Sequence, residues 1–112
     1  MDEKGYIDDE QFTEAFIEER VKHKKIGLNK VRNELYSKGV SKEIIENKLF
    51  FDDEVLQKNA LNLAVKKLRI IRSSSKKTEK QKVKQKIYSH LLMRGYDSQI
   101  IKNVFELIDF DE

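Results

Sequence analysis

The chain has no cysteine, no proline and only four glycines among its 112 residues. It also has no apolar run approaching the roughly 20 residues a membrane span needs. Without cysteine there are no disulfides, thiolate metal sites or thiol nucleophiles, a composition that fits a reducing cytoplasm. The acidic start Met1-Asp2-Glu3 is unlike a signal peptide, so the chain is expected to be cytoplasmic and soluble. Reactive motifs are equally scarce. His23 and His90 lie 67 positions apart with no carboxylate or histidine at ligand spacing, and no glycine-rich phosphate loop or nucleophile motif occurs. The expectation is a protein that is not an enzyme and takes no cofactor, metal ion or small-molecule substrate.

What is abundant is charge. Charged residues make up 38% of the chain and hydrophobic ones another 38%. Apolar groups must therefore be gathered into narrow stripes, as on the faces of thin helical layers. The net charge of +3 conceals a banded distribution. Residues 1–19 hold eight acids against Lys4, a balance of −7. Residues 20–32 hold Arg20, Lys22, Lys24, Lys25, Lys30 and Arg32 with no acid, giving +6. Residues 66–94 hold eleven bases against Glu79 alone, giving +10. Such bands can steer a protein toward polyanions or acidic surfaces.

The apolar spacing is helical throughout. Phe12, Phe16, Ile17 and Val21 predict a first helix from Asp9 to about His23, with Asp8 or Asp9 as its cap. Val31, Leu35 and Tyr36 mark a second, stopped at Gly39, where glycine readily takes the left-handed conformation. Ser41 can cap a short third helix carrying Ile44, Ile45 and Leu49. Asp52-Asp53 can cap a fourth of about 20 residues, with Leu56, Ala60, Leu63, Ala64, Leu68 and Ile71 on one side, reaching roughly 30 Å. Residues 72–80 contain no apolar group and are expected to be a solvated loop or frayed helix end. Val83, Ile87, Leu91 and Leu92 define a fifth helix ending at Gly95. Asp97 caps a sixth with Ile100, Ile101, Val104, Phe105 and Ile108, and residues 109–112 are expected to fray.

The pattern occurs twice. At an offset of 56, Lys30, Gly39, Ile44, Ile45 and Asn47 coincide with Lys86, Gly95, Ile100, Ile101 and Asn103. Val31, Leu35, Lys38, Ser41 and Leu49 meet residues of the same role. The first helices align at an offset of 44, pairing Asp9 with Asp53, Glu10 with Glu54, Phe12 with Leu56 and Val21 with Val65. The chain is thus expected to be all-α, an elongated array of tandem three-helix repeats over residues 1–51 and 52–112, the second with a longer basic connection. Stacked repeats present an extended surface rather than a pocket, which suits a macromolecular partner.

The segment Gly5-Tyr6-Ile7-Asp8-Asp9-Glu10-Gln11-Phe12, with Ala15-Phe16 and Arg20 after it, resembles the turn and Phe-rich helix of the RecX family of recombinase regulators. Gly27, Val31, Leu35, Lys38-Gly39-Val40 and Ile44-Ile45 continue the likeness. Arg94-Gly95-Tyr96 and Ile100-Ile101 are landmarks of the more divergent following repeat. Thr13 stands where the family usually has alanine, and the repeat that normally precedes Gly5 is missing, so the chain resembles the middle and C-terminal repeats. The resemblance implies a regulator that binds RecA filaments and suppresses their ATP hydrolysis, growth and strand exchange. It would act by occupying protein surface, with single-stranded DNA as a further candidate contact through the basic bands. The candidate contact residues are Arg20, Lys22, Lys24, Lys25, Lys30, Arg32, Lys38, Lys82, Lys86 and Arg94. The alternative is a helical nucleic-acid-binding module of helix-turn-helix type.

Several of these features have plainer explanations. Asp8-Asp9 is better explained by helix capping than by a paired-carboxylate site, since Asp52-Asp53 recurs at the start of the equivalent helix. Phe12, Phe16, Tyr36 and Phe105 fit packing better than base stacking, as do Tyr88 and Tyr96. Lys80, Lys82, Lys84 and Lys86 alternate by two, so on a helix they spread over more than one face. That spacing favours diffuse phosphate attraction over base recognition.

Overall fold

A computed structural model describes residues 9–73 and 79–110, and these form six α-helices with no strand among them. In chain order they are α1 (Asp9–Lys22), α2 (Leu28–Ser37), α3 (Lys42–Lys48), α4 (Asp53–Arg72), α5 (Lys80–Met93) and α6 (Ser98–Leu107). The Gly5–Asp8 turn, the cap proposed at Asp8, residues 74–78 of the basic connection and residues 111–112 lie outside the described residues. Helix α1 packs on α2 and α3, and α4 packs on α5 and α6. The body measures 57 × 24 × 19 Å, the elongated array expected of two stacked repeats.

Local chemistry starts and stops the helices where the sequence indicates. Ser41 accepts a hydrogen bond from the Ile44 amide, Asp52 from that of Glu54 and Asp97 from that of Ile100, each satisfying an otherwise orphaned donor. Helices α2 and α5 end in the same motif. Gly39 and Gly95 take positive φ values of 88° and 99°. The next residue closes a bond back into the helix, Val40 N–H to Leu35 carbonyl and Tyr96 N–H to Leu91 carbonyl, both at 3.1 Å. These two turns are 56 residues apart, the offset of the repeat.

One continuous core threads both units. Val21, Val31, Leu35 and Ile45 are fully buried in the first, and Ala60, Ala64, Ile87, Leu91, Ile101 and Val104 in the second. Each large aliphatic side chain so buried contributes roughly 1.5–3 kcal/mol.

The structure corrects several of the helical faces. Phe12 is 43% exposed, Tyr36 42% and Leu92 45%, although periodicity placed all three on packing faces, while Thr13 and Asn59, and Ile26 in the turn before α2, are buried. The buried residues of α1 (Thr13, Phe16, Ile17, Val21) superpose on those of α4 (Leu56, Asn59, Ala60, Ala64) at an offset of 43, not 44. The helix starts and their acids agree at 44. One residue turns a helical face by about 100°, so burial sets the register that packing follows. The tail also differs from the expected fraying: Phe110 rests edge-on against Phe105, ring centroids 5.3 Å apart.

Candidate functional site

Two places concentrate the features of interest: the junction between the units and a basic groove on the second unit.

At the junction, Gly27 precedes α2 and has no side chain to cap it. The second unit does so instead. The Gly27 amide donates to the Arg94 carbonyl at 2.7 Å, and the Asn29 amide donates to the Gly95 carbonyl at 3.0 Å. The carbonyls ending α5 thus face the amides starting α2, opposite ends of two helix dipoles. A Cβ on Gly27 would lie 2.5 Å from the Tyr96 nitrogen, and one on Gly95 would lie 2.5 Å from Lys30 Cβ, so both glycines permit a backbone approach that no side chain would allow.

Side chains complete the seam. Tyr96 is 1% exposed, and its hydroxyl donates to the Lys25 carbonyl at 2.6 Å. Burial pushes that phenol up to about 12. Arg94 Nη2 donates to the Lys24 carbonyl at 2.8 Å. Lys25 itself adopts a φ of 56°, turning the chain between α1 and α2. From α4, the buried Asn59 donates through Nδ2 to the Val21 carbonyl at 2.9 Å, capping the end of α1 across the seam.

The candidate cations are placed unevenly. Arg20 Nε reaches Glu34 at 3.0 Å and Nη1 reaches Glu19 at 2.6 Å, with the guanidinium 4.2 Å from the centre of the Phe16 ring. Lys22 pairs with Glu18 at 2.9 Å, which holds that carboxyl below its usual range through the hydrogen bond and the lysine charge. Arg32 pairs with Glu46 at 3.3 Å. The acid-free stretch 20–32 is therefore met in space by acids from α1, α2 and α3. Lys24 and Lys25 are exposed on the turn, Lys30 lies over Gly95, and Lys38 ends α2 with Nζ 5.7 Å from the Phe16 ring centre. Arg94 is committed to the junction. Lys48, not among the candidates, bridges to Glu14 of α1 at 2.6 Å, and that contact raises its pKa.

Lys82 and Lys86 line a groove of about 660 Å³ between α4 and α5, together with Lys67 and His90. Burial, then the charges of Lys67 and Arg94, lower the His90 pKa. Lys84 points elsewhere, over the Phe110 ring at 5.3 Å, so the alternating lysines do divide between faces. Among the aromatics, Tyr96 is structural. Tyr88 lies 6.4 Å from Phe105, edge to face, and remains 38% exposed.

Among the described residues no three His, Cys, Asp or Glu side chains gather where they could hold a metal ion. None of their helices is long and apolar enough to cross a membrane. Sequence reading missed the Gly27–Gly95 contact and the Asn59 cap. The only available signal was a polar residue on an otherwise small and apolar stripe, Asn59 beside Ala60.

Residues 8–49 match the model of the RecX second three-helix domain, and residues 53–105 match that of the RecX third three-helix domain. Regulatory protein RecX of Clostridium botulinum (strain Eklund 17B / Type B) is 38% identical over 113 residues, covering 99% of this chain and 51% of its own length. Proteins of the same name are similar in Prosthecochloris aestuarii, 35% identical over 95% of this chain and 66% of theirs, and in Chlorobium phaeobacteroides BS1, 33% over 96% and 67%. The chain thus spans about half the length of its clostridial relatives. No solved structure matches it significantly. With both triplets matched in order along one continuous fold, the chain belongs to the RecX family of regulatory proteins.

Proposed function

We propose that this chain binds a RecA recombinase filament and restrains its ATP hydrolysis, extension and strand exchange, acting from the cytoplasm by occupying protein surface and without chemistry of its own. The observation that supports this reading is the consecutive match of residues 8–49 and 53–105 to the second and third RecX three-helix domains, within repeats that we assign to residues 1–51 and 52–112. The 57 Å body supports it, since an extended, side-chain-rich surface suits contact with successive subunits of a polymer. Lys24, Lys25 and Lys38 are the exposed cations of the first unit best placed for an acidic recombinase surface, with Lys30 beside them. Arg20, Lys22, Arg32 and Arg94 already hold partners within the fold, so their contribution to binding would come through the shape they maintain.

The test is the single-stranded-DNA-dependent ATPase of the cognate recombinase, titrated with this chain and paired with sedimentation of filaments. Dose-dependent inhibition with co-sedimentation is expected. An unchanged ATPase and no co-sedimentation would overturn the reading. The acid-free cluster of Lys67, Lys82 and Lys86 lining the α4–α5 groove favours a second reading, a helix-turn-helix module for nucleic acid. Tight, sequence-selective binding to duplex DNA without recombinase would establish that one instead.

A further inference from the structure

Helix α4 borders another groove where it meets α6, formed by two adjoining cavities of about 300 and 290 Å³ that share Asp53 and Gln57. Its lining changes from charge to amide to hydrocarbon along the helices. Asn103 Nδ2 donates to Gln57 Oε1 at 3.3 Å, which fixes the two helices side by side. From that rung, four-residue steps on both helices pair Asp53 with Gln99 one turn earlier and Leu61 with Leu107 one turn later, about 6 Å per step. Glu54 and Asp97 join Asp53 at the first end, and Leu107 is 60% exposed at the other. None of these three acids makes an ion pair among the described residues, whereas Glu10, Glu14, Glu18, Glu19, Glu34 and Glu46 of the first unit all do. The starts of α4 and α6 bring roughly +0.5 charge each, so three carboxylates leave this end negative. Lys58, the base in the lining, lies a turn beyond Glu54.

We propose that this groove docks an extended segment of a partner protein in which a lysine or arginine stands about four residues from a large apolar side chain. Charge complementarity selects the basic residue, which Asp53, Glu54 and Asp97 would receive. Exposed Leu107 with Leu61 selects the apolar one. The two ends lie about 12 Å apart, which an extended chain covers in about four residues at 3.3 Å each. The amides between them select the main chain. Gln99 Nε2 donates to Asn103 Oδ1 at 3.2 Å and Asn103 Nδ2 donates to Gln57, a relay that leaves Gln57 Nε2 as a donor and Gln99 Oε1 as an acceptor. A peptide group presents the opposite pair, a carbonyl and an N–H, and an extended segment has both to give. A helix would keep them for its own ladder. Phosphates are repelled by the carboxylates, and a bare cation would leave the leucines uncovered. The proposal does not rest on the recombinase reading, because the peptide is tested with this chain alone.

The experiment is fluorescence anisotropy of a labelled peptide with the whole chain. In the peptide an Arg-Lys pair and a Leu-Leu pair stand four residues apart, the rest being Ser and Thr, and it is made in both chain orders. Saturable binding of at least one order is expected, weakening as salt rises. Replacing the basic pair by Glu-Glu should abolish binding, and replacing the leucines by Ser-Ser should weaken it several-fold. On the protein, Asp53→Asn/Glu54→Gln and, separately, Leu107→Ser should each bind several-fold more weakly. Glu43→Gln/Glu106→Gln, exposed acids outside the groove, should bind as the parent does. Circular dichroism should show the same helicity in all four proteins. No binding in either order, unchanged binding by the groove variants, or an equal loss in the control variant would overturn the assignment. Full binding of the Ser-Ser peptide would reduce the groove to an acidic patch and overturn it as well. Sedimentation of the chain alone supplies the last outcome: self-association abolished by Leu107→Ser would give the groove to a second copy instead.

Discussion

Gly27 of the first three-helix unit and Gly95 of the second meet backbone against backbone, so closely that a methyl group on Gly27 would overlap the Gly95 carbonyl. This contact lets the turn that ends α5 cap the start of α2, and it makes the two units one body. Gly39 occupies the same place in the first unit as Gly95 in the second, yet nothing would lie within 4 Å of a Cβ there.

Alanine substitutions at the three glycines should therefore rank. Gly39→Ala meets only the left-handed backbone penalty, about 1–2 kcal/mol. Gly27→Ala has a permissive φ of −83° but must displace the neighbouring turn, with an expected cost of about 2–3 kcal/mol. Gly95→Ala suffers both effects and should be the worst. Thermal unfolding followed by circular dichroism gives the order, each kcal/mol corresponding to roughly 4–8 °C.

Tyr96→Phe should cost about 1–2 kcal/mol by removing the donor to the Lys25 carbonyl. The same residue gives an alkaline signature. Its folded-state pKa of about 12 stands above the ordinary phenol value of 10, so the folded protein holds a proton that the unfolded chain releases. The stabilisation is complete below pH 10 and declines as pH rises toward 12. Denaturant unfolding across that interval should show the decline in the unchanged protein and a smaller one in the phenylalanine variant.

Two buried polar residues should behave in opposite ways. Asn59→Ala strands the Val21 carbonyl at the end of α1 and should destabilise by about 2 kcal/mol. Thr13 is fully buried with no partner for its hydroxyl, so the isosteric Thr13→Val should stabilise by about 1 kcal/mol. A stability loss in the valine variant would show that the hydroxyl has a partner after all.

Arg20→Ala should lower stability by about 1 kcal/mol, through its pair with Glu34 and its stacking on Phe16, both partly screened by solvent. Lys24→Gln with Lys25→Gln should stay within about 0.5 kcal/mol of the parent, since both side chains are exposed. Inhibition of recombinase measured with that double variant then reports contact rather than folding. A loss of stability equal to that of Arg20→Ala would remove the distinction.

The helices and their punctuation were legible because both are local. Ser41, Asp52 and Asp97 act on amides two or three residues away, and Gly39 and Gly95 act on their own φ. The repeat was legible where core and turn coincide, from α2 to α3 against α5 to α6. It slipped by one residue between α1 and α4, where matching acids at the helix starts outweighed the buried face. The candidate site was read from charge order along the chain. Lys82 and Lys86 do share a groove, but Arg20, Lys22 and Arg32 are paired with acids at positions 34, 18 and 46.

Sequence by itself determined the elements of this protein: six helices, the caps at Ser41, Asp52 and Asp97, the glycine turns, the doubled triplet and the family likeness. Each depends on interactions spanning a few residues or on a pattern that recurs along the chain. Only the tertiary structure decided which charges remain unpaired and how the triplets join. Both outcomes depend on groups far apart in sequence, Gly27 against Gly95 and Lys67 beside Lys86, and no local rule brings such groups together.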